Sequence, residues 1–100
     1  MGQFSARDHN YSEIEIGAIF SFEREISAED VGVFSKLTGD MNPLHTDEEF
    51  GKASQFQRNI VHGMLAASLF STLIGMFCPG KKSLYLSQTL QFRMPLFYGD

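Results

Sequence analysis

Asp40, Asn42 and His45 fall within six residues of one another in the stretch TGDMNPLH, Thr38 to His45. A carboxylate and an imidazole placed around a tight turn can converge and hold one water between them, one group as base and the other as acid. General acid–base groups of this kind contribute about 10²- to 10⁴-fold to a rate. The Asn42 amide both donates and accepts hydrogen bonds, so it could orient the loop or the water. Gly39 and Pro43 punctuate the turn. The bland alternative is a solvated loop that carries these residues by chance. A metal site is not expected, because Asp40 and His45 supply two ligands and no third is evident nearby in the sequence. Neither Ser35 nor Ser71 sits in a G-x-S-x-G elbow, which removes support for serine hydrolase chemistry.

The flanking sequence shows what must hold this turn. Residues 1–13 are polar, with no fixed structure expected at the start. From Ala18 to Ile26, Phe20 and Phe22 alternate with Ser21 and Glu23, the period of a half-buried strand. Ser27 can cap a helix, with Asp30 in the slot of a capping-box partner. That helix runs through Val31, Phe34 and Leu37 and stops at Gly39, which suits a left-handed C-terminal position. Thr46 with Glu49 forms a second capping box, opening a short helix near Asp47–Lys52. Ile60 to Phe77, IVHGMLAASLFSTLIGMF, is apolar with little polar face. It is a little short for the roughly 20 apolar residues of a membrane span, and it has no charged side for water. The expectation is a helix enclosed by protein, roughly 27 Å long at 1.5 Å per residue. Gly63 falls at its start, where free N–H groups and the helix dipole favour an anion. From Ser83 the sequence alternates again, with Leu84, Leu86, Leu90, Phe92, Met94 and Leu96 on one face. That reads as a long strand with one greasy side, ending near Pro95.

The chain has 100 residues, 43% of them hydrophobic and 20% charged, which fits a single soluble globular domain spanning 1–100. A formal charge of −4 argues against nucleic-acid binding through bulk electrostatics. Lys81-Lys82 is the one adjacent basic pair; it could meet a phosphate or simply be solvated. Cys78 is the single cysteine, so no internal disulfide forms and a reducing, cytoplasmic compartment is the default. The N-terminus has no signal-peptide core. His62 reads as a helix-entry or core histidine, and His9 as solvated. The order of elements predicts an α+β domain with a sheet laid on the central helix. Two strands make a marginal sheet, so further strands are expected from residues beyond Gly99-Asp100 or from another chain.

Four segments in order carry a resemblance: FSKLTGDMNPLH, IVHGMLAASLFS, SLYLSQTLQF and PLFYGD. They resemble the MaoC-like (R)-specific enoyl-CoA hydratases from about Ile16 to Asp100. The resemblance implies a hot-dog fold, a long central helix wrapped by an antiparallel sheet and usually dimerised, here lacking the C-terminal strands of the domain. It implies reversible hydration of a trans-2-enoyl thioester to an (R)-3-hydroxyacyl thioester, without a metal or a cofactor beyond the thioester itself. The carrier would be coenzyme A or acyl carrier protein. Asp40 and His45 would be the catalytic pair, Asn42 a positioning residue, and the Gly63 N–H the oxyanion-hole donor. Ser71 matches a substrate-side serine, although a helix serine bonded to its own backbone reads equally well. Two rival functions share the fold: a non-catalytic thioester-binding or dimerisation module, and a thioesterase.

Overall fold

The computed structural model describes residues 5–100. They fall into two compact units, Met1–Glu23 with Ala67–Leu90 and Arg24–Ala66 with Gln91–Asp100. Four helices appear in chain order: α1 (Ala28–Thr38), α2 (Pro43–Thr46), α3 (Glu48–Ala53) and α4 (Gly63–Thr72).

The second unit carries the TGDMNPLH turn. The expected capping box opens α1, with Asp30 N–H donating to Ser27 Oγ at 3.1 Å and Ser27 N–H donating to Asp30 Oδ2 at 3.0 Å. Gly39 closes α1 at φ 83°, a conformation that favours glycine. The helix buries Val31 and Ser35, while Leu37 is 82% exposed, so its inner stripe runs one residue away from the expected Phe34–Leu37 edge. Asn42 caps α2 through its side-chain oxygen, which accepts from Leu44 N–H at 3.0 Å, and Pro43 occupies the first helical position. The second capping box differs from expectation. Asp47, not Thr46, caps α3 by accepting from the N–H groups of Glu49 and Phe50. Thr46 belongs to the last turn of α2, and its hydroxyl donates back to the Asn42 carbonyl at 3.3 Å. The core of this unit is small: Ile26, Val31 and Val61 are its buried apolar side chains among the described residues.

The first unit ties the early chain to the segment after α4. The first four residues of the polar start lie outside the described residues. From Arg7 onward the start is fixed: Arg7 N–H donates to Met76 O at 2.9 Å, and Lys81 N–H donates to Arg7 O at 2.8 Å. Lys82 reaches Asp8 at 3.2 Å and Asn10 at 2.6 Å, so one member of the basic pair has protein partners. Phe22 stacks on Phe77 with ring centroids 5.3 Å apart.

The long helix and the strands depart from expectation. Helix begins at Gly63 rather than Ile60, because Ile60 makes an antiparallel bridge to Phe97. α4 continues as a π-helical turn over Leu73–Phe77. Ala67 is its buried residue; Met64 is 58% exposed and Phe70 51% exposed, so the enclosure expected for this helix is not formed. Neither 18–26 nor 83–96 forms a ladder. Among the described residues, pairing is limited to two isolated bridges, Asp8–Gly80 and Ile60–Phe97. A strand exists only with a partner for its N–H and C=O groups, and alternation identifies a face without supplying that partner.

Candidate active site

The turn brings its two acid–base groups together. A carboxylate oxygen of Asp40, a ring nitrogen of His45 and a ring nitrogen of His62 all lie within 4.8 Å of one another. Asp40 follows the Gly39 stop and is exposed; its Oδ1 accepts from Asn42 N–H at 3.2 Å, and its own N–H donates to Thr38 Oγ1 at 3.2 Å. The loop is thereby bonded to itself, and Asn42 acts as the cap that starts α2. The side-chain oxygen of Asn42 is engaged by the helix, so its contribution is to the loop's shape.

His45 sits in the short α2 and is held from several sides. Its Nδ1 lies 2.8 Å from Ile60 O. A carbonyl can only accept, so Nδ1 carries the proton and Nε2 is the atom left to exchange one. The His45 backbone is fixed too, with its N–H on Asn42 O at 3.0 Å and its carbonyl accepting from the Tyr98 hydroxyl. Burial pushes the Tyr98 phenol up from its ordinary value of 10.0, so it stays a donor at neutral pH. Buried Asn59 donates from Nδ2 to Leu44 O and Asp47 O, both at 2.9 Å, and so satisfies carbonyls at the end of α2.

His62 was expected as a helix-entry or core residue, and it holds both places. It is 2% exposed, and its carbonyl accepts the first helical bond from Ala66 N–H at 3.2 Å. Its ring stacks on that of His45, with centroids 3.9 Å apart and 28° between planes. The third potential metal ligand that the sequence did not reveal is therefore present in space. Stacked imidazoles direct their in-plane lone pairs side by side rather than toward one point, which does not favour chelation by both rings. Burial, first, lowers the His62 pKa from its ordinary 6.5; the His45 charge adds to this, while the bond to the Asp40 carbonyl and the Asp40 charge oppose it.

Gly63 follows as the first residue of α4, where its N–H has no intrahelical partner. A Cβ here would lie 2.8 Å from the Phe92 ring, so this close approach requires glycine. A cavity of about 300 Å³, lined by Phe56, Ile60, Val61, Gly63, Phe92 and Leu96 among others, opens beside it. A second, of about 620 Å³, is bounded by His45, Arg58, Asn59 and Tyr98. Ser71 lies exposed near the end of α4, in the first unit.

Ser35, Asn59, His62 and Tyr98 support the pair without any mark in the sequence pattern. Three of them contact backbone carbonyls far away in sequence, and no local pattern marks such a contact.

The chain matches the family described as MaoC like domain over residues 11–100. It is 47% identical over 87 residues to an (R)-specific enoyl-CoA hydratase of Aeromonas caviae, covering 87% of this chain and 65% of that protein. It is 41% identical over 97 residues to a mitochondrial 3-hydroxyacyl-[acyl-carrier-protein] dehydratase of Solanum lycopersicum, covering 97% and 58% respectively. The chain thus spans 58 to 65% of the length of these two curated relatives. Among solved structures, the unliganded R-hydratase PhaJ1 of Pseudomonas aeruginosa superposes with a TM-score of 0.89 at 35% identity, over 94% of this chain and 61% of that one. Sequence, backbone path and the matched span agree, and the chain belongs to the MaoC like domain family.

Proposed function

We propose that this chain carries the catalytic turn of an (R)-specific enoyl-thioester hydratase. One observation carries the reading: Asp40 and His45 present a carboxylate and an imidazole within 4.8 Å of each other, beside the ring that leads into Gly63. Asp40 and His45 Nε2 hold one water. Its oxygen adds to C3 of the enoyl group, and the proton it loses to the pair returns to C2. Negative charge develops on the thioester oxygen, and the Gly63 N–H, at the positive end of α4 and without an intrahelical partner, is the donor for it. Losing one such donor costs about 10²- to 10³-fold. Ser71 is a substrate-side residue on the strength of the resemblance alone. The thioester supplies the chemistry, so no metal or separate cofactor enters. The carrier is coenzyme A or acyl carrier protein, since curated relatives are named for each.

The family's hot-dog sheet is proposed to form on homo-oligomerisation, when 18–26 and 83–96 acquire strand partners. Leu84 and Leu86 are 82% and 86% exposed, which supports that need. The lack of a ladder among the described residues also favours a second reading, a thioester-binding module without turnover.

Crotonyl-CoA and the full chain decide between them. Loss of enoyl absorbance with formation of (R)-3-hydroxybutyryl-CoA is expected. Binding without turnover would leave the binding module, and release of free thiol would indicate a thioesterase.

A further inference from the structure

Behind the Asp40–His45 pair lies a second, sealed pair. Ser35 is 0% exposed and His62 is 2% exposed, and Ser35 Oγ lies 3.1 Å from His62 Nε2. The distance would suit a nucleophile and its base. Burial denies a substrate access to either atom, however, and Nε2 also lies 3.3 Å from the Asp40 carbonyl. That carbonyl accepts only, so Nε2 carries the proton and Ser35 Oγ is a second acceptor for it. Among the described residues, no hydrogen-bond partner meets the buried His62 Nδ1. A native protein seldom retains such an atom without gain elsewhere, because an unsatisfied buried group costs about 1 to 3 kcal/mol.

The remaining contacts show where the gain lies. Through Nε2, His62 grips α1 at Ser35 and the catalytic loop at Asp40. Through its face it supports the His45 ring at 3.9 Å. Phe34 closes the side of the ring at 4.8 Å. Through its own carbonyl it starts α4, placing Gly63 next in line. The His62 side chain therefore touches both members of the proposed acid–base pair, its backbone leads directly into Gly63, and its burial keeps it from substrate.

We propose that His62, neutral and protonated on Nε2, is a positioning residue for the hydration reaction, fixing Asp40 and His45 relative to each other. This rests on the hydratase reading. Misplacing a reacting group by about 1 Å can cost about 10²-fold, which sets the size of effect to seek. His62→Phe keeps an aromatic ring under His45 and removes both nitrogens. His62→Gln keeps an N–H that can reach the Asp40 carbonyl.

The test combines kinetics on crotonyl-CoA with ¹H–¹⁵N spectra of the histidine rings in the full chain. Expected is a fall in kcat of about tenfold to a hundredfold for His62→Phe, at equal folded fraction and with KM within about threefold. His62→Gln should recover most of that loss. Ring-current shifts of the His45 protons should persist in His62→Phe and vanish in His62→Gln, and His62 in the unaltered chain should carry its proton on Nε2. A folded His62→Phe with kcat within about threefold of the parent overturns the proposal, as does equal loss in both variants. Should His62→Phe not fold, the tautomer in the unaltered chain decides: Nε2–H upholds the grip on Asp40 and Nδ1–H overturns it. An unaltered chain that shows Nε2–H and the ring-current shifts but hydrates no enoyl thioester refutes the hydratase reading and leaves His62 as a structural clasp.

Discussion

His45 is held in place by atoms that lie far from it in the chain. Ile60 O fixes which nitrogen is protonated, Tyr98 holds the carbonyl, and His62 supports the ring. The convergence of Asp40 and His45 was legible in the sequence because both lie on one turn, and Gly63 was legible as a residue at a helix start, its role coming from the resemblance alone. Ile60 and Tyr98 were not, since a backbone carbonyl has no residue identity and a contact spanning 53 positions leaves no local pattern. Two predictions belong at this scale. Gly63→Ala drives a methyl into Phe92, with 2.8 Å where ordinary contact needs well over 3 Å. The displaced ring should lower both stability and hydration, the latter by about 10²-fold if the Gly63 N–H moves out of line; unchanged kcat would remove Gly63 from the mechanism. The second concerns acid. The folded-state pKa of His62 lies below its ordinary 6.5, so the unfolded chain takes up the proton first as pH falls. Stability linked to this group is intact above about pH 6.5 and is lost as pH drops from there through the folded value. Denaturant midpoints measured from pH 8 down to 5 should fall, and His62→Gln should flatten part of that slope.

At the scale of elements, end chemistry was the most legible feature and register the least. Ser27 with Asp30 and the left-handed Gly39 follow from side chains acting within three or four residues, which sequence displays directly. The start of α3 was misplaced by one residue because Thr46 and Asp47 can both cap. The preceding α2 captured the Thr46 hydroxyl for its own carbonyl, leaving Asp47 to the next helix. The start of α4 moved from Ile60 to Gly63 because Ile60 pairs with Phe97, a contact that apolar periodicity cannot encode. Ser27→Ala removes the Oγ that accepts from Asp30 N–H, leaves the backbone half of the box in place, and should cost about 1 kcal/mol. Gly39→Ala forces a Cβ into φ 83° and should cost about 1 to 2 kcal/mol. Both are read from denaturant midpoints at neutral pH. A neutral Gly39→Ala would mean that the end of α1 can relax without cost.

Each of the two units exposes apolar side chains that the alternating pattern assigned to a core. Leu84, Leu86, Phe92 and Met94 share the face that alternation assigned to the core, and they are 60 to 86% exposed. Period-two patterning was thus legible as a face, while the partner for that face was not, because pairing is a property of two segments and the sequence pattern describes one. If the proposed homo-oligomer forms, sedimentation should show an assembly larger than one chain, and Leu86→Glu should shift it toward monomer by placing a charge on the apolar face such an assembly would cover. A stable monomer of the unaltered chain would contradict this. The central claim, that Asp40 and His45 act together on one water, is tested most directly by crotonyl-CoA hydration in Asp40→Asn and His45→Gln, with CoA-ester affinity measured in parallel. Each variant should lose at least about 10²-fold in kcat while binding the ester within about threefold of the parent; turnover near the parent's in either one would contradict it.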